Sequence, residues 1–257
     1  MKRIIRIAKT EVLEHRRQPW MIFILVINYL LWIVIFGTLF LFLDRVAGQP
    51  ERLAFLTQKM SSVGVELGAL LQLTTSTFGS LSFTNLPLYV AIISGTSVLH
   101  DRENGTMPFL MLAPLSRSQL LIGKLAGAMT IPLILHILFV GVSTLFLSRL
   151  EVLAPFACKF GATPAWWLAF LVGAPASAAL VGALGTVISA LSRDIRTSMQ
   201  YTSFFIGILS LGIGFILVDG IAKGVMLQLF FIAGCTVATA VTLSIGARLI
   251  SRDVTLS

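Results

Sequence analysis

The sequence predicts an all-α polytopic membrane protein: six transmembrane helices, an N-terminal amphipathic interfacial helix and a short helix at the membrane face between spans 2 and 3. Two observations carry that reading. Of 257 residues, 56% are hydrophobic and only 12% charged, with a mean hydropathy of +0.94, whereas soluble domains carry about 25% charged residues. Apolar runs near twenty residues, long enough to cross the hydrocarbon core of a bilayer, also recur along the chain. The net charge of +8 is therefore a signal about topology rather than about nucleic acid.

Residues 1–19 set Lys2, Arg3, Arg6, Lys9, Arg16 and Arg17 between Ile4, Ile5, Ala8, Val12 and Leu13. A segment of that make-up either lies as a helix in an anionic headgroup layer or serves as a positive topogenic flank. Pro19 closes it, and Trp20 opens the first span, 20–43, at the interface level. The run exceeds the signal-peptide core of about 7–15 residues, so it is expected to remain as an uncleaved span. An extracytoplasmic connection, 44–80, follows. In it Pro50 suits a first helical turn, and Leu53, Leu56, Met60, Val63, Leu67 and Leu70 recur at spacings of three and four. That seam predicts one amphipathic helix offered to a partner or to a second copy.

The remaining spans are expected at 81–99, 119–147, 166–191, 199–218 and 224–247, with Trp166 and Trp167 as interfacial anchors and a tight turn holding Asp219, Gly220 and Lys223. Thirteen of the nineteen Lys and Arg fall on the side that carries both termini. The positive-inside bias puts that side in the cytoplasm.

The polar break at 100–118, continuing to Gly123-Lys124, is then cytoplasmic. Gly105 lets the chain turn away from the second span. Thr106 suits the cap of a short helix that begins at Met107-Pro108, with Phe109, Leu110 and Leu112 as its apolar surface. Pro114 stops it, and Ser116 and Gln119 have capping-box spacing for the next helix. Apolar knobs ringed by charge suit the docking of a soluble partner.

Glu103-x-Gly105-Thr106, an apolar run, Ala113-Pro114-Leu115-Ser116-Arg117 and then Gly123-Lys124 resemble the signature between the second and third spans of ABC-2 type transporter permeases. Six spans, cytoplasmic termini and an amphipathic N-terminal segment fit the same family, so the resemblance covers most of the chain as one ABC-2 type transmembrane domain, 1–257. Met107-Pro108 stands where many members carry Leu-Glu, and the connection between the last two spans is shorter than is common. The resemblance implies a coupling helix at 100–118 that fits a groove on a separate ATP-hydrolysing subunit. It implies two permeases, as a homodimer or a pseudo-dimer, with two ATPases in the inner membrane of a prokaryote. Glu103, Gly105, Thr106, Phe109, Leu110, Pro114, Ser116 and Arg117 are the expected ATPase contacts, and Arg193 and Arg196 of the second cytoplasmic loop either help grip the ATPase or serve to hold the topology.

No enzyme activity or cofactor is expected of this chain itself, and ATP and magnesium belong to the partner. Gly123-Lys124 lacks the earlier glycine of a phosphate loop, and Leu125 stands where Ser or Thr would hold magnesium. Cys158 and Cys235 are expected at different depths, and no metal-ligand spacing occurs. The Asn104-Gly105-Thr106 sequon faces the cytoplasm and is coincidental. His136 is expected as an interior, hydrogen-bonded residue, and neither Glu66 nor Asp219 sits deep in a span as a proton relay would. Ala174, Ala178, Gly182 and Thr186 recur every four residues, and Gly207 and Gly214 every seven, as ridges for close helix packing. The leading function is the permease of an exporter. An ion-coupled carrier, or a scaffold driving an extracytoplasmic partner through the 53–70 seam (in metalloenzyme or cofactor maturation, for example), are the alternatives.

Overall fold

Proline and glycine mark where the helices begin and end. The computed structural model describes residues 2–16, 19–47, 49–62, 64, 66–112, 115–147 and 164–253, and among these it contains helices and no strand. Helix α1 spans Lys2–Arg16 and α2 spans Pro19–Ala47, with Pro19 in a first turn where its missing N–H costs nothing. Pro50 opens α3, Pro50–Ser62, in the same way, and Glu51 in that turn faces the positive end of the helix dipole. Gly64 follows at φ 76°, and α4 runs from Leu67 to Glu103. The seam expected through 53–70 as one helix is therefore cut in two, because a left-handed residue ends a right-handed helix. Met60 is half-buried, while Val63 and the side chains of Leu53, Leu56 and Leu67 lie outside the described residues.

A short helix α5, Met107–Leu112, connects α4 to α6, Arg117–Leu147. Helix α7, Pro164–Leu168, a π-helical turn at Ala169–Gly173 and α8, Ala174–Leu191, form one rod. So do α9, Ile195–Tyr201, a second π-helical turn at Thr202–Ile206 and α10, Gly207–Lys223. Helix α11, Val225–Asp253, ends the described chain. Six stretches are long and apolar enough to cross a bilayer: Ile22–Phe42, Ser80–Glu103, Arg117–Phe146, Pro164–Leu191, Ile195–Val218 and Val225–Leu249. The turn expected at Asp219, Gly220 and Lys223 falls instead at Gly224, φ 107°. One glycine with positive φ reverses the chain, so α10 keeps its hydrogen bonds through Lys223.

Burial ranks these spans. The α4 window is 78% buried, against 12% for α2 and 11% for α11, so α4 is the axis and α2 and α11 lie at the outside of the chain's bundle. Lipid supplies no hydrophobic force between helices, so an axial helix is held by close packing and hydrogen bonds. Ala174, Ala178, Gly182 and Thr186 of α8 are all buried. A Cβ at Gly182 would meet Val90 at 2.6 Å, and one at Gly185 would meet the Ala91 carbonyl oxygen at 2.9 Å. The α8 ridge is thus spent inside the chain, against α4. The α10 pair divides: a Cβ at Gly214 would strike the Ser80 carbonyl oxygen at 2.6 Å, whereas Gly207 has nothing within 4 Å.

These contacts set a stability test. Gly185→Ala forces α4 and α8 apart and is expected to cost about 1–3 kcal/mol, as overpacking does. Gly207→Ala fills open space on a helix and is expected to be neutral or to stabilise by about 0.5–1 kcal/mol. Melting temperatures of the two variants in detergent, followed by size-exclusion fluorescence, check the contrast.

Candidate coupling site

The site begins where α4 ends. The Gly105 N–H donates to the Arg102 carbonyl at 3.1 Å, and the Thr106 N–H to the Asp101 carbonyl at 2.9 Å. With Gly105 at φ 67°, these two bonds form the Schellman stop, which satisfies the last carbonyls of the helix and redirects the chain. The Leu110 N–H donates to the Thr106 carbonyl at 3.1 Å, which opens α5. Thr106 holds the cap position, but its hydroxyl hydrogen turns back: Oγ1 lies 3.0 Å from Asp101 Oδ1 and 3.2 Å from the Asp101 carbonyl oxygen. The threonine therefore fastens α5 to the end of α4.

Helix α5 is rooted on one face and bare on the other. Met107 is buried in the main core and Leu110 packs against it, one helical turn apart. Pro108 is exposed, and Leu112 is 83% exposed at the tip. The Phe109 side chain and Pro114 lie outside the described residues. Ser116 and Gln119 make the reciprocal capping box: the Gln119 N–H donates to Ser116 Oγ and the Ser116 N–H to Gln119 Oε1, both at 3.2 Å. That pair starts α6, on which Arg117 is half-buried.

The end of α8 and the helix α9 join this face through hydroxyls. Ser189 Oγ accepts from the N–H groups of Val98 and Leu99 at 3.2 Å each, and the Ser198 hydroxyl donates to the Gly95 carbonyl. Asp194 caps α9, accepting the Thr197 N–H and the Thr197 hydroxyl, both at 2.8 Å. Those donors, the N–H first, hold its carboxyl below the usual range. Arg193 and Arg196 are exposed, as are Arg102 and Glu103 at the end of α4. The structure thus brings Glu103, Gly105, Thr106, Leu110, Ser116, Arg117, Arg193 and Arg196 to one face. It leaves Met60 on α3, at the other end of α4.

Sequence reasoning missed the buried charges behind this face. Lys124 is 2% exposed, and its ammonium lies 2.9 Å from Glu11 Oε2, 2.6 Å from Asp101 Oδ2 and 2.9 Å from the Ser97 carbonyl oxygen. Two of its donors meet the Glu11 carboxylate and the Ser97 carbonyl, and Asp101 Oδ2 adds an ion pair at short range. Glu11 stands on the face of α1 that also carries Ile4, Ile7 and Ala8, and that face, rather than Ile5 and Leu13, turns to the protein. The signal was a carboxylate on the apolar side of an amphipathic helix, matched by a lysine inside an apolar run.

Geometry bears on one further expectation. His136 is wholly buried, with its ring 5.2 Å from that of Phe170 and 6.5 Å from that of Phe83. Phe170 also brings its backbone beside the imidazole. Neither ring nitrogen completes a hydrogen bond of normal geometry, so the expected hydrogen-bonded histidine is instead an enclosed one among aromatic rings. Among the described residues no cluster of His, Cys, Asp and Glu could hold a metal, and Cys235 is a buried free thiol. Cys158 lies outside the described residues.

Glu11 gives a pH test. Burial, reinforced by the nearby Asp101 and Glu14 carboxylates, outweighs the Lys124 ammonium and pushes its carboxyl from 4.5 up to about 7. The folded chain then holds a proton there that the unfolded chain releases, so this group's contribution is complete below pH 4.5 and is lost as pH rises through 7. Glu11→Gln is expected to flatten the fall of melting temperature between pH 5 and pH 8, read by thermal unfolding in detergent.

The family described as ABC-2 family transporter protein matches residues 5–252. Comparison with curated proteins finds no match. The family match takes in α1, the six spans and the whole α4–α5–α6 turn. On that match the chain belongs to the ABC-2 family of transporter proteins, membrane components that pair with an ABC ATPase subunit.

Proposed function

We propose that the chain is the permease subunit of an ABC-2 type exporter, with α5 as the coupling helix. The exposed face of α5 supports this reading most directly. Met107 and Leu110 root the helix in the core, while Leu112 stands 83% exposed at its tip, and Arg102, Glu103, Arg193 and Arg196 are exposed as well. An apolar knob with a charged rim on a rooted helix suits a groove in a soluble subunit.

In this reading α5 and both termini face the cytoplasm of a prokaryotic inner membrane. Two permeases form a homodimer, each bearing one ATPase, and ATP with its magnesium is bound by the ATPases alone. Closure of the ATPases pushes on α5, and the attached α4 and α6 tilt as rigid rods to open a path between the two permeases. The chain makes and breaks no covalent bond.

Leu112 allows a test that spares the fold, since the side chain is almost fully exposed. Leu112→Asp is expected to leave the melting temperature unchanged and to weaken association with the ATPase at least tenfold, about 1.4 kcal/mol. Co-purification and titration with the ATPase measure it, and undiminished affinity would remove α5 from the interface. Combining Glu103→Ala with Phe109→Ala is expected to uncouple hydrolysis from export, read as ATP turnover retained while substrate movement in proteoliposomes is lost.

A further inference from the structure

We infer that Lys124 is a positioning residue that ties α1 to α5, so that the interfacial helix and the coupling helix move as one body. The inference rests on the reading of α5 as the ATPase contact, and it assigns the next step in the path of force.

The chain of contacts is continuous. Thr106, at the root of α5, gives its hydroxyl to Asp101 Oδ1 at 3.0 Å. The other oxygen of the same carboxylate, Oδ2, holds Lys124 at 2.6 Å. Lys124 in turn holds Glu11 of α1 at 2.9 Å and the Ser97 carbonyl of α4 at 2.9 Å. One ammonium on α6 thus joins α1, α4 and, through one carboxylate, α5. The packing beneath it is equally close. A Cβ at Gly123 would meet the Ile7 Cβ at 2.7 Å, and one at Gly127 would meet the Glu11 Cβ at 2.4 Å, so α1 sits directly on the glycine face of α6.

The chemistry explains why charge is used here. A buried ion pair is poor value as a stabiliser, because desolvation offsets much of its attraction, whereas directional bonds to a shared ammonium fix position. Apolar contact alone would let α1 slide along the glycine face of α6. Two hydrogen bonds and an ion pair arranged around one Nζ oppose that slip, and a planar guanidinium would not reproduce the arrangement. Helix α1 is then a lever fixed to the same joint that receives the push on α5.

Spin-label distances in the full complex at pH 8, above the raised Glu11 value so that the carboxylate is charged, test this directly. Lys9 and Pro108 are both exposed, so Lys9→Cys and Pro108→Cys, with Cys158 and Cys235 replaced by serine, report the α1–α5 distance in lipid nanodiscs with the ATPase bound. Without nucleotide and with ATP trapped by vanadate, the distance is expected to change by no more than about 2 Å, the ordinary slip of packed helices. In the charge-free variant Glu11→Gln/Asp101→Asn/Lys124→Met, which keeps the volume of the cluster, the trapped state is expected to broaden or shift by about 5 Å or more, one helical turn. Where that variant fails to fold, the single variant Glu11→Gln serves, with an expected shift in the same direction. A wild-type distance that changes by a helical turn on trapping overturns the inference, as does a charge-free variant that moves like wild type. An ATPase that binds the wild-type chain but is indifferent to Leu112→Asp overturns the assignment of α5 instead, and the joint falls with it.

Discussion

The close approach of α4 and α8 governs the rest of the bundle. In lipid, helices gain nothing from hiding apolar surface, so separation is decided by the smallest side chain at the crossing and by the hydrogen bonds it permits. Gly182 and Gly185 let α4 come near enough for Ser189 to reach the Val98 and Leu99 N–H groups, and Ser198 holds the Gly95 carbonyl from α9. The last turns of α4 are thus gripped by α8, α9 and, through Lys124, by α6. Everything at this face hangs from that end of α4, including α5 through the Gly105 stop.

How much of this could be read in the sequence depended on whether a feature is local. Span number and character followed from hydropathy, because twenty apolar residues have few alternatives. The stop at Gly105 and the capping box of Ser116 and Gln119 were legible because each is a contact within a few residues. The 53–70 seam misled because a repeat of threes and fours describes side-chain faces and is blind to the sign of φ at Gly64. Asp219 and Gly220 misled similarly, since polarity at a span end does not say which residue turns.

The buried cluster was illegible for a different reason. Glu11, Asp101 and Lys124 are 90 and 23 residues apart along the chain, and nothing local couples them. In a one-dimensional reading Glu11 is an interfacial charge, Asp101 a span-end charge and Lys124 part of a short family pattern. Only the seating of α1 on Gly123 and Gly127 brings them within 3 Å of one ammonium. His136 shows the reverse limit: its burial was legible from its place in a span, but the rings of Phe83 and Phe170 that enclose it were not.

The order of these residues along the chain also bears on how the protein is made. A lysine at the centre of an apolar span costs about 2.5–3.5 kcal/mol to insert; Lys124, seven residues inside α6, stands nearer the span's end and carries a smaller part of that cost. Both carboxylates precede it in the sequence. When the ribosome releases Lys124 into the membrane, Glu11 and Asp101 have already been synthesised, so a counter-ion site can await the ammonium as it enters. A chain with the lysine first would have to shelter a bare charge until its partners arrived.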